Sequence, residues 1–143
     1  AWEYLQNADV SAEVRRNGEQ TGHFMMARIE VARGNLDSAR MYYRQYAERA
    51  RKLQSPSQLR ATHELAGIIA LAEEDYDKAV AEFKQASQRS PYTYYRLGLA
   101  YEGLGEMKEA RRWYHQAATF NEVVSLSYAL VRQKAADKAA ATS

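Results

Sequence analysis

Apolar residues along the chain recur at helical spacing, and no run alternates with period two over more than a few residues. The pattern predicts helices and no strands. It breaks at "RGNLD", "AEEDYD" and "GLGEM", each short enough to be a tight turn between helices. Asn35 and Asp75 stand where an N-cap would open the next helix. The two prolines, Pro56 and Pro91, each follow a serine, which reads as an N-cap and a first helical residue.

The stretch "LGLAYEGLGEMKEA", Leu97 to Ala110, is good helix-forming sequence that holds three glycines. Each costs about 1 kcal/mol relative to alanine inside a helix. Gly98 and Ala110 are equidistant from Leu104. A turn centred there makes an antiparallel hairpin in which the two small residues face each other and the helix axes approach toward about 8 Å. The same mirror sets Tyr101 opposite Met107 and Tyr94 opposite Tyr114. Gly105 supplies a left-handed residue that ends the first helix, while Gly103 has no evident role.

The arrangement recurs. Gly67 and Ala79 mirror about Glu73, with Ala70 opposite Tyr76 and His63 opposite Phe83. Ala27 and Ala39 mirror about Arg33, with Glu30 opposite Leu36 and His23 opposite Tyr43. In every unit an aromatic follows the second-helix alanine by four: Tyr43, Phe83 and Tyr114. A repeat of this size means stacked helical hairpins, none of which buries its core alone.

The unit resembles the tetratricopeptide repeat. The third unit carries the resemblance through Tyr94, Leu97, Gly98, Tyr101, Gly105, Ala110, Tyr114 and Ala117, and the second through Gly67, Tyr76, Ala79, Phe83, Ala86 and Pro91. The first unit fits at Ala27, Gly34, Leu36, Ala39 and Tyr43 and departs at Glu30 and Tyr46. The expected fold is all-α: a right-handed superhelical solenoid of antiparallel helix hairpins with a C-terminal capping helix. The expected division is a helical flank over 1–19, hairpins over 20–53, 57–90 and 91–120, and a capping helix and tail over 121–143. In that cap Val123, Val124, Leu126, Leu130 and Val131 share an apolar face that covers the last hairpin, and the lysine- and alanine-rich end frays. "AWEYLQNADV" reads as the end of an earlier helix. The first hairpin's helix could begin early, against the grain of Gly18 and Gly22.

The resemblance implies a function too. First helices of successive repeats line a concave groove that holds a partner's peptide. The matching positions here are Phe24, Arg28, Glu64, Ile68, Tyr92, Tyr95, Arg96 and Leu99. Aromatic, aliphatic and arginine side chains are what binding hot spots favour. Ile68 and Leu99 have a second reading, as packing between neighbouring hairpins. Some family members grip the C-terminal carboxylate of heat-shock chaperones with lysines, asparagines and an arginine. The corresponding positions hold Phe24, Arg28, Leu65, Tyr92 and Arg96; Arg96 alone fits, so no such clamp is expected.

Composition narrows the rest. The chain has 143 residues, 46% hydrophobic and 27% charged, enough for one folded domain. Its net charge of +2 comes from 20 basic and 18 acidic side chains spread along the sequence, with no polybasic arm. Near-neutrality, with Glu64 and Glu102 on the expected groove, argues against nucleic acid. No apolar run approaches the roughly 18 residues of a membrane span. The absence of cysteine removes disulfides, thiol nucleophiles and thiolate metal sites. The opening "AWEYLQ" lacks a methionine or signal peptide, so the chain reads as part of a longer protein whose compartment is not encoded here.

Catalytic chemistry finds little footing. "GLGEMK" lacks the spacing, the terminal Lys-Ser/Thr and the preceding strand of a phosphate loop. His23 and His63 occupy equivalent positions on neighbouring hairpins but lack a third ligand, and packing against Tyr43 and Phe83 accounts for them. His115 reads as a surface residue. Glu73, Glu74, Asp75 and Asp77 sit at a turn beside a helix start, where the macrodipole favours carboxylates. The expected function is a non-enzymatic protein-interaction module with no cofactor or metal. The alternatives are a structural scaffold or self-association domain, pairing through "AWEYL" or the terminal helix, and a regulatory module for an enzyme or DNA-binding domain elsewhere in a longer chain.

Overall fold

The computed structural model describes residues 11–121 and 126–141. These hold seven helices and no strand: α1 (Ala12–Ala32), α2 (Leu36–Leu53), α3 (Pro56–Ala72), α4 (Tyr76–Gln85), α5 (Pro91–Gly103), α6 (Met107–Ala118) and α7 (Leu126–Ala141). "AWEYL", Val123 and Val124 lie outside the described residues, as does the side chain of Leu126. α1 is capped by the Ser11 hydroxyl, which accepts from the Val14 amide at 3.2 Å, and runs unbroken through Gly18 and Gly22. Ser55 and Ser90 hold N-cap positions ahead of Pro56 and Pro91, although neither hydroxyl makes a capping bond. Asp75 caps α4 through the Lys78 amide.

Helices α1 and α2, α3 and α4, and α5 and α6 pair as hairpins, and each hairpin packs against the next. Their turns are built alike. The amides of Asn35, Asp75 and Glu106 reach back to the carbonyls of Glu30, Ala70 and Tyr101, each at 2.9 Å. This closure needs a left-handed residue one position earlier, which Gly34 (φ +79°) and Gly105 (φ +75°) supply without strain. The second hairpin uses Glu74 at φ +60° instead.

The two clearest hairpins are clamped by an aromatic ring over a glycine. A Cβ added to Gly98 would stand 2.3 Å from the Tyr114 ring, and one added to Gly67 would stand 2.6 Å from the Phe83 ring. Both rings are fully buried. A simple mirror about the turn puts alanines opposite these glycines, but helical side chains lean toward their own N-terminus. The ring four residues beyond each alanine therefore fills the space over the glycine.

The same lean revises other expected pairs. Tyr94 packs on Trp113 and Phe120, with centroids 5.8 and 6.1 Å away, while Tyr95 meets Tyr114 at 5.7 Å. Met107 is exposed, and buried Tyr101 meets Lys84 of α4 instead. His63 bonds Glu82 at 2.8 Å, and His23 lies against the Tyr42 ring. Glu30 turns back to Asn35 (2.8 Å) and Arg33 (2.9 Å). Those two contacts, the amide of Asn35 foremost, hold its carboxyl below the usual carboxylate range. Tyr76 reaches past its own hairpin: a Cβ on Gly103 would lie 2.4 Å from its ring. Gly103 thus makes room for the preceding hairpin.

α7 packs on α5 and α6 through Val131 and Ala135, both buried, while Leu130 is 70% exposed. The packed stripe runs through buried Val131 and Ala135 to half-buried Lys138, four and three residues apart, which rotates Leu130 off the packed face. The helix stays ordered to Ala141, with Ala139 against the core, so the expected fraying does not occur within the described residues. Aromatic contacts bind it further: Tyr128 touches both Phe120 and Tyr92 at 5.8 Å.

Two substitutions test this account by urea denaturation. Gly98→Ala should cost about 1–3 kcal/mol, because the buried Tyr114 ring cannot withdraw. Glu74→Gly should add about 0.5–1 kcal/mol by relieving the left-handed backbone.

Candidate functional site

The first helices of the hairpins present a shared face because each hairpin repeats the same turn. α1, α3 and α5 lie in sequence along it, and α7 closes the far side. Between them runs a groove of about 430 Å³. Val31 comes from α1, and Ile68, Leu71 and Ala72 from α3. Tyr92, Tyr95, Arg96 and Leu99 come from α5, and Leu130, Val131 and Lys134 from α7.

Five of the eight residues expected from sequence line this groove together: Ile68, Tyr92, Tyr95, Arg96 and Leu99. Glu64 sits just beneath, bound to Arg96 at 2.7 Å. Phe24 lines a second cleft, with Gln20, Thr21, Tyr46 and Gln58, and Arg28 lies over its ring at 5.7 Å. Glu102 leaves the groove side. It accepts from Lys138 at 2.8 Å and from the Tyr114 hydroxyl, so α6 and α7 take it up. Burial works to raise the Glu102 pKa, but the two hydrogen bonds outweigh it and hold the carboxyl below its usual range. Val31 and Leu71 were missed although each continues an expected face three residues on. Leu130 and Lys134 were missed because nothing local shows which side of α7 turns inward.

Arg96 is the electrostatic centre of the site. Its side chain is 15% exposed and that of Glu64 25%. The guanidinium also lies over the Tyr92 ring at 5.7 Å. Burial pulls the Arg96 pKa below its ordinary value, and Glu64 opposes this. A charge in that position is satisfied internally rather than held out for a ligand. Lys134 is the exposed cation of the lining. No group of three or more potential metal ligands gathers among the described residues, and none of the described helices is long and apolar enough to cross a membrane.

The ion pair makes a clear prediction. Glu64→Ala should cost about 3 kcal/mol by stranding a mostly buried guanidinium. The double variant Glu64→Ala/Arg96→Leu should regain most of that loss, as read from a double-mutant cycle of unfolding free energies.

No curated protein and no solved structure matches the chain. Residues 91–124, which open with α5 and α6, do match the sequence model of the tetratricopeptide repeat. That repeat is in general a non-catalytic protein-interaction unit. With its all-helical architecture of successive hairpins, the chain is consistent with a repeat protein of the tetratricopeptide type.

Proposed function

We propose that this chain is a non-catalytic protein-interaction module that holds an apolar segment of a partner protein in the groove between α3, α5 and α7. The hairpins form a right-handed superhelix, and the groove is its inner face. The observation that carries this reading is the lining itself. Aliphatic and tyrosine side chains from four helices surround an open groove whose deeper cation is already paired with Glu64. A ligand therefore gains by burying apolar surface, at roughly 25 cal/mol per Å², and not by neutralising Arg96. An acidic C-terminus gripped through the clamp positions is disfavoured on the same grounds, because Leu65 is fully buried and Arg96 is taken.

A peptide library selected on the purified chain tests the proposal. Binders should be apolar, with affinities in the micromolar range. Leu130→Glu places a carboxylate on an exposed rim residue without touching the core and should weaken them at least tenfold. Met107→Glu, on the far side of α6, should leave them unchanged. Selected peptides indifferent to Leu130→Glu would place binding elsewhere and sink the groove reading.

A further inference from the structure

The second cleft, of about 410 Å³, contains a polar side chain that the fold leaves half matched. Gln20 and Tyr46 are the buried members of its lining, 4% and 5% exposed, while Asn17 and Thr21 stand exposed at its rim. Gln20 Nε2 donates to the Tyr46 carbonyl at 3.0 Å and to Gln58 Oε1 at 3.4 Å. A backbone carbonyl only accepts, so Tyr46 fixes which end of the Gln20 carboxamide is nitrogen. Both Nε2 hydrogens are then used, and Gln20 Oε1 is left buried with no donor. Half-buried Gln58 accepts from Gln20, and its own Nε2 donates to no described residue. The two carboxamides therefore hold an unmatched acceptor and an unmatched donor in one cleft. A buried acceptor without a donor is unfavourable, and a ligand that supplies the donor removes that penalty.

The cleft also continues the groove. Phe24 of the cleft and Val31 of the groove are seven residues apart on α1, and Ala61 and Ile68 stand in the same relation on α3. Seven residues are two helical turns, so each pair shares a helix face at a separation of about 10 Å. Arg28 lies between the two, over the Phe24 ring at 5.7 Å and near enough for its charge to act on Arg96. A peptide in an extended or polyproline conformation advances about 3 Å per residue, so three residues cover the distance.

We infer that the cleft takes the side-chain carboxamide of a glutamine or asparagine about three residues from the apolar residue that the groove holds, which rests on the groove reading for the seat of that apolar residue. The ligand's amide nitrogen donates to Gln20 Oε1, and its carbonyl accepts from Gln58 Nε2. Gln58 is joined to Gln20 by one long hydrogen bond and turns to admit it.

The surrounding charges select against the alternatives. A lysine or arginine could donate to Gln20, but Arg28 over Phe24 and Arg49 bonded to Asn17 oppose a further cation. Glu64 is already bound to Arg96. An aspartate or glutamate would be drawn by the two arginines, yet an ionised carboxylate has no hydrogen to donate and would set its lone pairs against Gln20 Oε1. An apolar side chain leaves the acceptor as it is. Glutamine and glutamate have nearly the same shape, so the preference between them isolates this one hydrogen bond.

Peptides selected on the purified chain test this when resynthesised with Gln, Glu or Leu at each position within four residues of the apolar anchor. Fluorescence anisotropy should find one position at which Gln binds at least tenfold more tightly than Glu or Leu. Gln20→Leu should abolish that preference and leave the Leu peptide's affinity unchanged. Gln20 is buried, so circular dichroism checks that the variant folds, and an NMR titration of the unaltered chain supplies a readout that needs no variant. N-acetylglutamine methylamide should shift the side-chain amide resonances of Gln20 and Gln58, and its glutamate counterpart should not; equal shifts, or none, would count against the cleft. Peptides that depend on Leu130 but show no glutamine preference at any position would overturn the inference and leave the groove reading standing. A glutamine preference lost in Gln20→Leu but indifferent to Leu130→Glu would uphold the cleft and remove the groove.

Discussion

The fold depends on a ring laid over a missing Cβ. Where Phe83 covers Gly67 and Tyr114 covers Gly98, two helices approach more closely than any side chain at the glycine would allow. The glycines cost helix propensity locally and return it as ring burial, because a fully buried aromatic contributes more than one glycine loses. Everything larger follows from the angle this contact fixes. With the second and third hairpins clamped this way and all three sharing one turn geometry, residues of several helices come together in a surface that no single hairpin could build.

The first hairpin shows what happens when the contact is absent. Ala27 stands where the others have glycine, so its Cβ occupies the ring's place. Tyr43 is only partly buried, and the core is assembled instead from Tyr46, Ala50 and Leu65, with Phe24 stacked on Tyr46 at 5.5 Å. Glu30, which would be unfavourable alone in a buried position, is matched by Asn35 and Arg33 from its own turn. The departures at Glu30 and Tyr46 thus go together with the alanine that stands at 27 in place of glycine, as one change of packing. They also explain why Phe24, with Arg28 over its ring, borders a cleft with Gln20 and Gln58 rather than the apolar groove.

Much of this was legible in the residues. Periodicity gave the helices, and the turn positions followed from Gly34, Gly105 and the caps, since local backbone chemistry decides them. Facing pairs were less legible. Symmetry about a turn predicts which levels meet, but the lean of side chains along a helix shifts the actual contact by about one turn, as Tyr114 and Tyr94 show. Contacts between hairpins were invisible: nothing near Gly103 announces Tyr76, and nothing near Glu102 announces Lys138. The groove positions read from α3 and α5 do come together, whereas those on α1 fall on the hairpin whose packing differs.

The distribution of charge gives the proposed groove its character. Repeats that recognise charged termini need cations that are exposed and unspent. Here Arg96 is held by Glu64 and shielded by Tyr92, at the cost of desolvating both charges. Such a pair adds little net stability compared with apolar residues of the same shape. It does fix α5 against α3, and Tyr92 in turn meets Tyr128 of α7. The pair thus orders three of the helices that line the groove while removing its strongest electrostatic demand on a ligand. On the proposed reading, a partner seated there would be selected by the shape it offers to Ile68, Tyr95, Leu99 and Leu130, with Lys134 at the edge admitting at most a peripheral carboxylate.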